Sequence, residues 1–67
     1  MIANFIHKNV KIEFTDGDIW TGKVINYTIA GDNDPEEESI EFIPANGPGK
    51  GKMFEVYEHE IKNIKEI

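Results

Sequence analysis

The sequence predicts a mainly all-β domain: a small five-stranded antiparallel barrel that follows a short N-terminal helix. Three observations carry this prediction. Apolar and polar residues alternate over short segments, which is the period of half-buried strands. Turn-forming residues separate these segments. The chain has 67 residues and no cysteine, so its stability must come from a small apolar core, a partner or both, and residues 1–67 are expected to form one domain.

The first nine residues predict a helical turn. Ile2, Phe5 and Ile6 follow one another at i, i+3 and i+4 and would form one apolar stripe. A helix this short needs an apolar surface to pack on, and a short strand is the competing interpretation. The segment has no basic flank, long apolar run or cleavage site, so we expect no signal peptide, no membrane span and a cytoplasmic protein.

The first hairpin has the clearest pattern. Residues 10–14 alternate apolar and charged side chains, which predicts a strand. Asp16 and Gly17 follow, and this dipeptide is a strong hairpin signal. The β-branched and aromatic residues of 19–29 predict a long second strand. Gly22 inside that strand predicts a sharp bend or a close approach of two backbones.

Three more strands are predicted in the second half of the chain. They cover residues 39–43, 53–57 and 61–67, where apolar side chains recur between polar ones. Residues 30–38 and 44–52 are predicted to be loops, because glycine, proline and like charges accumulate there. Five short strands close economically as a small barrel, which also hides the sheet edges.

The negative charge of the chain is concentrated in one loop. Seven lysines and no arginine stand against 13 acidic residues, which gives a net charge of −6. Residues 32–41 carry six acids and no lysine, so the other 57 residues are neutral. Nucleic-acid affinity rests largely on phosphate contacts, and arginine is the best bidentate reader of guanine and phosphate. The composition therefore argues against generic nucleic-acid binding, although a local basic face could still exist, and no DNA partner is expected.

Several segments resemble Sm-like (LSm) proteins. Residues 5–14 resemble their helix end and first strand, and Asp16-Gly17 matches their first hairpin. Residues 22–27 resemble the bent second strand, with a glycine, an apolar residue and an aromatic at the same intervals. Residues 56–64 resemble the fourth strand, tight turn and fifth strand. The resemblance covers nearly the whole chain and implies an Sm-like, SH3-like barrel whose fourth and fifth strands could pair between subunits into a ring.

The chain departs from the Sm-like RNA motifs. Thr28 follows Tyr27, where the family typically has Asp. Asn33 is out of register with the family's RNA-contacting asparagine and lies in an acidic run. Glu58 stands where the second family motif commonly has glycine. The resemblance therefore implies the fold, while the RNA site does not carry over residue by residue.

The leading functional expectation is a non-enzymatic binding or assembly module that works through protein–protein contact, including self-association through strand edges. Some acidic Sm-like proteins, such as inhibitors of the Rho termination factor, work through protein contact. The expected docking surface is an acidic loop. Its partner-binding residues are predicted to be Asp32, Asp34, Glu36, Glu37 and Glu38.

Two alternatives remain open at this point. One is RNA binding by an oligomeric ring, with Tyr27, Asn33, Lys50 and Lys52 near the ligand. The other is a purely structural small protein. For Trp20 and Tyr27, packing in the core or a subunit interface is favoured over base stacking, because a small core needs its largest side chains.

We expect no catalytic residue, cofactor, metal site or small-molecule substrate. Asp32-Asn33-Asp34 resembles the opening of a calcium loop, but the required glycine and bidentate glutamate are missing. A solvated charged loop is the favoured interpretation. His7 and His59 are solitary in the sequence and are expected at the surface.

Overall fold

The computed structural model describes residues 2–33 and 36–67. Five antiparallel strands form one sheet in the order β4-β3-β2-β1-β5. They are β1 (Asn9–Phe14), β2 (Ile19–Thr28), β3 (Ser39–Pro44), β4 (Phe54–Tyr57) and β5 (Ile61–Glu66). The described residues also contain three 3-10 turns: the N-terminal turn (Ile2–Phe5), the middle turn (Ala30–Asp32) and the β4–β5 turn (Glu58–Glu60). The predicted mainly β class and the five antiparallel strands are confirmed.

The predicted N-terminal helix is a single 3-10 turn. Ile2 is buried and Phe5 is half-buried against the core, so four residues suffice to cover the apolar end of the sheet. His7 then takes a φ of 65°, and its N–H donates to the carbonyl of Val24 at 2.7 Å. This left-handed residue ends the turn and directs the chain into β1.

The sheet is open, so the expectation of a closed barrel was wrong in this respect. In residues 2–33 and 36–67, β4 pairs only with β3, and β5 pairs only with β1. The N–H of Tyr57 points away from β3 and donates instead to the carboxylate of Glu60 at 2.9 Å. The β4–β5 turn thus occupies part of the edge that a β4–β5 ladder would need.

Strand β2 joins the two halves of the sheet. Its residues 19–23 pair with β1, and its residues 22–28 pair with β3, with a bulge between Val24 and Asn26. Gly22 lies where the halves overlap, and a Cβ there would stand 2.2 Å from the carbonyl oxygen of Ile43. The close backbone approach predicted for this glycine is confirmed.

The core lies between the two halves and is capped by three aromatic rings. Its buried members are Ile2, Val10, Ile12, Val24, Ile40, Phe42 and Val56. Trp20 packs edge-on against Phe14 and Phe54, with ring centroids 4.9 and 5.1 Å apart. Trp20 and Tyr27 are half-buried against this cluster, as the core interpretation predicted. No helix within the described ranges is long and apolar enough to cross a membrane.

Candidate functional site

An acidic face lies on the outer side of β3 and β4. Glu41 and Glu55 are direct cross-strand partners, and they point outward because their neighbours Ile40, Phe42 and Val56 are buried. We call Glu41 and Glu55 the acidic face. The Glu58 N–H donates to the Glu38 carbonyl, so these two residues form a hydrogen-bonded pair at the end of the β3–β4 ladder. Hydrogen-bonded and non-hydrogen-bonded pairs alternate along an antiparallel ladder, and Glu41–Glu55 is therefore a non-hydrogen-bonded pair. Side chains approach most closely in such pairs, so the two carboxylates repel each other.

A short polar network holds the Glu55 carboxylate. The Ser39 hydroxyl is 1% exposed and donates to Glu55 Oε2 at 3.0 Å. Asn33 Nδ2 donates to the same hydroxyl at 2.9 Å, and the Tyr57 hydroxyl donates to Glu55 Oε1 at 3.4 Å. Partial burial, and secondly the charge of Glu55, raise the pKa of Tyr57. The carboxylate is therefore fixed in position at the surface of the sheet.

The loop between β2 and β3 is anchored to the β4–β5 turn. Asn33 Nδ2 donates a second hydrogen bond to the Glu37 carbonyl at 2.8 Å, and Glu37 Oε1 lies 2.5 Å from His59 Nδ1. The His59 ring also stacks on Tyr57, with centroids 6.1 Å apart. These contacts hold the loop beside the acidic face instead of leaving it fully solvated.

The structure places four of the five residues predicted for docking in this loop. Asp32 ends the middle turn and is exposed, as is Glu36, while Glu37 and Glu38 are half-buried. Asp34 lies outside the described residues. Asp32 and Glu36 are thus the most accessible of the described carboxylates in the loop.

The residues predicted for the RNA alternative lie at two separate places. Asn33 and Tyr27 are near the start of β3, since Tyr27 pairs with Ile40. Lys50 and Lys52 come after the end of that strand. Six strand residues span about 17 Å, and the Asn33 amide already donates within the chain. The geometry does not bring the four residues together.

A lysine face, not predicted from the sequence, lies on the outer side of the other half of the sheet. Lys11 and Lys65 are cross-strand partners on β1 and β5, and Lys23 lies on the same face of β2 because it pairs with Asn9. We call Lys11, Lys23 and Lys65 the lysine face. The outward parity of Lys11 follows from the alternation of residues 10–14, but its pairing with Lys65 follows only from the register of distant strands.

The lysines of this half differ in their ion pairs. Lys8 lies 3.6 Å from Glu66, and Lys62 lies 3.8 Å from Glu13. In residues 2–33 and 36–67, no member of the lysine face has a carboxylate within 4.0 Å. The lysine face therefore has three lysines without a direct ion pair among the described residues, and the carboxylate nearest to it on the same side of the sheet, Glu13, pairs with Lys62.

Within residues 2–33 and 36–67, both edges of the sheet offer backbone groups that pair with no other strand. The Ile67 N–H donates to the Asn9 carbonyl, and N–H groups alternate sides along a strand. The N–H groups of Ile64 and Glu66 must therefore face the free edge of β5. By the same alternation the Glu55 N–H faces the free edge of β4.

A shallow groove of mixed polarity follows the β5 edge, and Glu58, Lys62 and Asn63 supply its polar lining. It has a volume of about 350 Å³, and its apolar lining comes from the N-terminal turn and from β5: Ile2, Phe5, Ile61 and Ile64.

In the described part of the chain, no group of three or more His, Asp or Glu side chains could hold a metal ion. No family model matches the chain, and neither a curated protein nor a solved structure matches it.

Proposed function

We propose that the chain is a non-enzymatic, Sm-like binding and assembly module that acts through protein–protein contact. Copies associate through the edges of the sheet, and the acidic loop docks a partner. The observation that carries this proposal is the open sheet, whose two outermost strands each have an edge that pairs with no other strand in the described residues. Unpaired strand edges are templates for pairing with another chain.

The two edges are complementary. Strand β4 carries Glu55 on its outer face and β5 carries Lys65 on the same side of the sheet. Antiparallel pairing of β4 in one copy with β5 in the next continues the sheet and brings acidic and basic side chains together. Opposite charges facing each other across strands contribute roughly 0.2–1 kcal/mol per pair.

The apolar side chains of the groove add to this contact. Phe5, Ile61 and Ile64 are only half-buried in the single chain, and they lie beside the free edge of β5. A neighbouring strand at that edge would remove part of this apolar surface from water. Burial of this kind contributes roughly 25 cal/mol per Å².

The acidic loop supplies the charged docking surface. Asp32 and Glu36 are exposed, and Glu37 is held in place by Asn33 and His59. A surface of one sign attracts an oppositely charged partner and speeds its association. A basic protein surface suits this loop better than RNA, whose phosphates it would repel.

A matched pair of variants tests the edge contact. Glu66→Pro removes an N–H that faces the free edge of β5, while Glu66→Ala keeps that N–H, and both variants lose the contact with Lys8. Solution mass is measured by light scattering at about 1 M salt, where charge contacts between surfaces are screened. Native protein and E66A are expected to be oligomers, and E66P to have the 7.6 kDa mass of one chain. Equal masses for E66P and E66A would contradict the proposal, provided that circular dichroism shows both variants folded.

A further inference from the structure

We infer that the lysine face docks the acidic face of a second copy of this chain. The inference rests on the self-association in the proposed function and adds a second contact to it, because the acidic face of Glu41 and Glu55 is distinct from the acidic loop. It concerns the outer faces of the sheet, and the contact is separate from pairing at the strand edges.

Each face contains a pair of like charges that is unfavourable in the single chain. Lys11 lies directly across from Lys65, and Glu41 lies directly across from Glu55. Like charges in such cross-strand positions destabilise a sheet. A surface of opposite sign placed over either pair relieves this repulsion.

The two pairs also match in geometry. Each consists of two side chains on adjacent antiparallel strands, whose Cα atoms are roughly 4.5–5.5 Å apart. Glu55 is held in position by Ser39 and Tyr57, so one member of the acidic pair is already ordered. Glu41 and Glu55 form a non-hydrogen-bonded pair, whereas Lys11 and Lys65 form a hydrogen-bonded pair, so their Cα separations differ by about 1 Å. The long lysine side chains span this difference when one face covers the other.

The rest of the sequence separates charge in the same way: acidic residues concentrate in the half that carries the acidic face, and lysines in the half that carries the lysine face. Residues 24–49 and 53–60 contain nine acidic residues and no lysine. Residues 1–23 and 61–67 contain five of the seven lysines and four acids. A second copy of the chain therefore offers an acidic surface that is complementary in charge to the lysine face.

The composition of the lysine face favours a protein over a nucleic acid. Among the described residues, the outward positions of β1, β5 and the first half of β2 carry no aromatic side chain on which a base could stack. Ile19 lies on this face, across from Glu13, and is 55% exposed. An exposed isoleucine beside lysines suits contact with a folded acidic surface.

This contact is heterologous, because each copy uses its lysine face on one neighbour and its acidic face on another. Such contacts build open chains or closed rings. The contact rests on charge, so it weakens as salt rises, whereas backbone pairing at the edges persists. The two modes of association can therefore be measured separately.

Reciprocal charge reversal tests the inference. All variants carry Glu66→Pro to suppress edge pairing, and solution mass is measured at low salt. Lys11→Glu with Lys65→Glu makes both faces acidic, and Glu41→Lys with Glu55→Lys makes both faces basic. Each protein alone should be a monomer, while an equimolar mixture should show at least about twice that mass and lose the gain near 1 M salt.

A matched control separates the face from net charge. Lys50→Glu with Lys52→Glu, in the same background, changes the net charge by the same amount and should self-associate like its parent. No increase in mass on mixing overturns the inference, as does loss of association in this control. If mixing fails and only the reversal at Lys11 and Lys65 abolishes binding to a single-stranded RNA probe, the face is a nucleic-acid site and the inference is wrong. None of these outcomes alters the comparison of E66P with E66A at high salt.

Discussion

The rings of Trp20 and Phe54 meet edge to face, with centroids 5.1 Å apart and planes inclined by 66°. Trp20 lies near the start of β2, and Phe54 is the first residue of β4. The contact therefore joins the two halves of the sheet across the core. Side-chain packing curls this open sheet over its core without a β4–β5 ladder.

Removing this contact should strongly destabilise the fold. Trp20→Ala is expected to lower the free energy of unfolding by about 3 kcal/mol, since it deletes a large side chain packed against the core. Trp20→Phe keeps an aromatic ring and should lose considerably less. Urea unfolding followed by circular dichroism measures the free energy of unfolding of both variants. Equal losses in the two variants would show that the aromatic contact between residue 20 and Phe54 does not stabilise the fold.

Gly22 should tolerate no side chain. A Cβ at this position meets the Ile43 carbonyl at 2.2 Å, so Gly22→Ala forces the backbones of β2 and β3 apart. We expect a loss of about 3 kcal/mol. Gly31→Ala is the matched control, because nothing lies within 4 Å of a Cβ there, and its thermal midpoint should stay close to that of the native protein.

The polar network around Ser39 should contribute modestly to stability. Ser39→Ala removes the hydrogen bonds to Glu55 and Asn33, and we expect a loss of about 1 kcal/mol. Asn46→Ala breaks a hydrogen bond to Thr21 that is exposed, and it should have a smaller effect. Denaturant unfolding of the two variants gives the comparison, and a larger loss for the Asn46 variant would argue against the network.

Stability should fall at alkaline pH through the two tyrosines. Burial first, and then the charges of Glu38 and Glu55 respectively, raise the pKa values of Tyr27 and Tyr57 above 10.0. A group whose pKa is higher in the folded state stabilises fully below its unfolded pKa, and this contribution is lost as pH rises through the folded pKa. The free energy of unfolding should therefore decline above pH 10.

Variants at Tyr57 isolate its share of that decline. Tyr57→Phe should unfold with a shallower alkaline dependence, measured by urea titration between about pH 9 and 11. Glu55→Gln should lower the pKa of Tyr57 in an ultraviolet absorbance titration. If Tyr57 titrates at the same pH in the Gln variant, the charge of Glu55 is not a cause of the shift.

Much of the fold could be predicted from local patterns. Alternation in residues 10–14 indicates which side chains face the core, and the Asp16-Gly17 turn fixes the first hairpin. Closure of the sheet could not be predicted in this way. It depends on contacts between residues that are not strand neighbours, such as the hydrogen bond from the Tyr57 N–H to the Glu60 carboxylate, and the alternation of apolar residues carries no information on them.

The candidate site was predicted only in part. Composition is enough to locate the acidic loop, but His59 meets Glu37 across 22 residues of sequence. The lysine face needs the pairing of β1 with β5, which only the complete sheet specifies. Local patterns give the side on which Lys11 lies, and long-range register gives its neighbour.

Self-association is measured by light scattering, which gives the solution mass of the native chain over a range of concentrations at low and high salt. We expect a mass above the 7.6 kDa of one chain. This mass should rise with concentration at low salt and be only partly reduced near 1 M salt, because edge pairing persists when charge contacts are screened. A mass of 7.6 kDa at every concentration and both salt levels would show that the chain is a monomer and that neither contact forms.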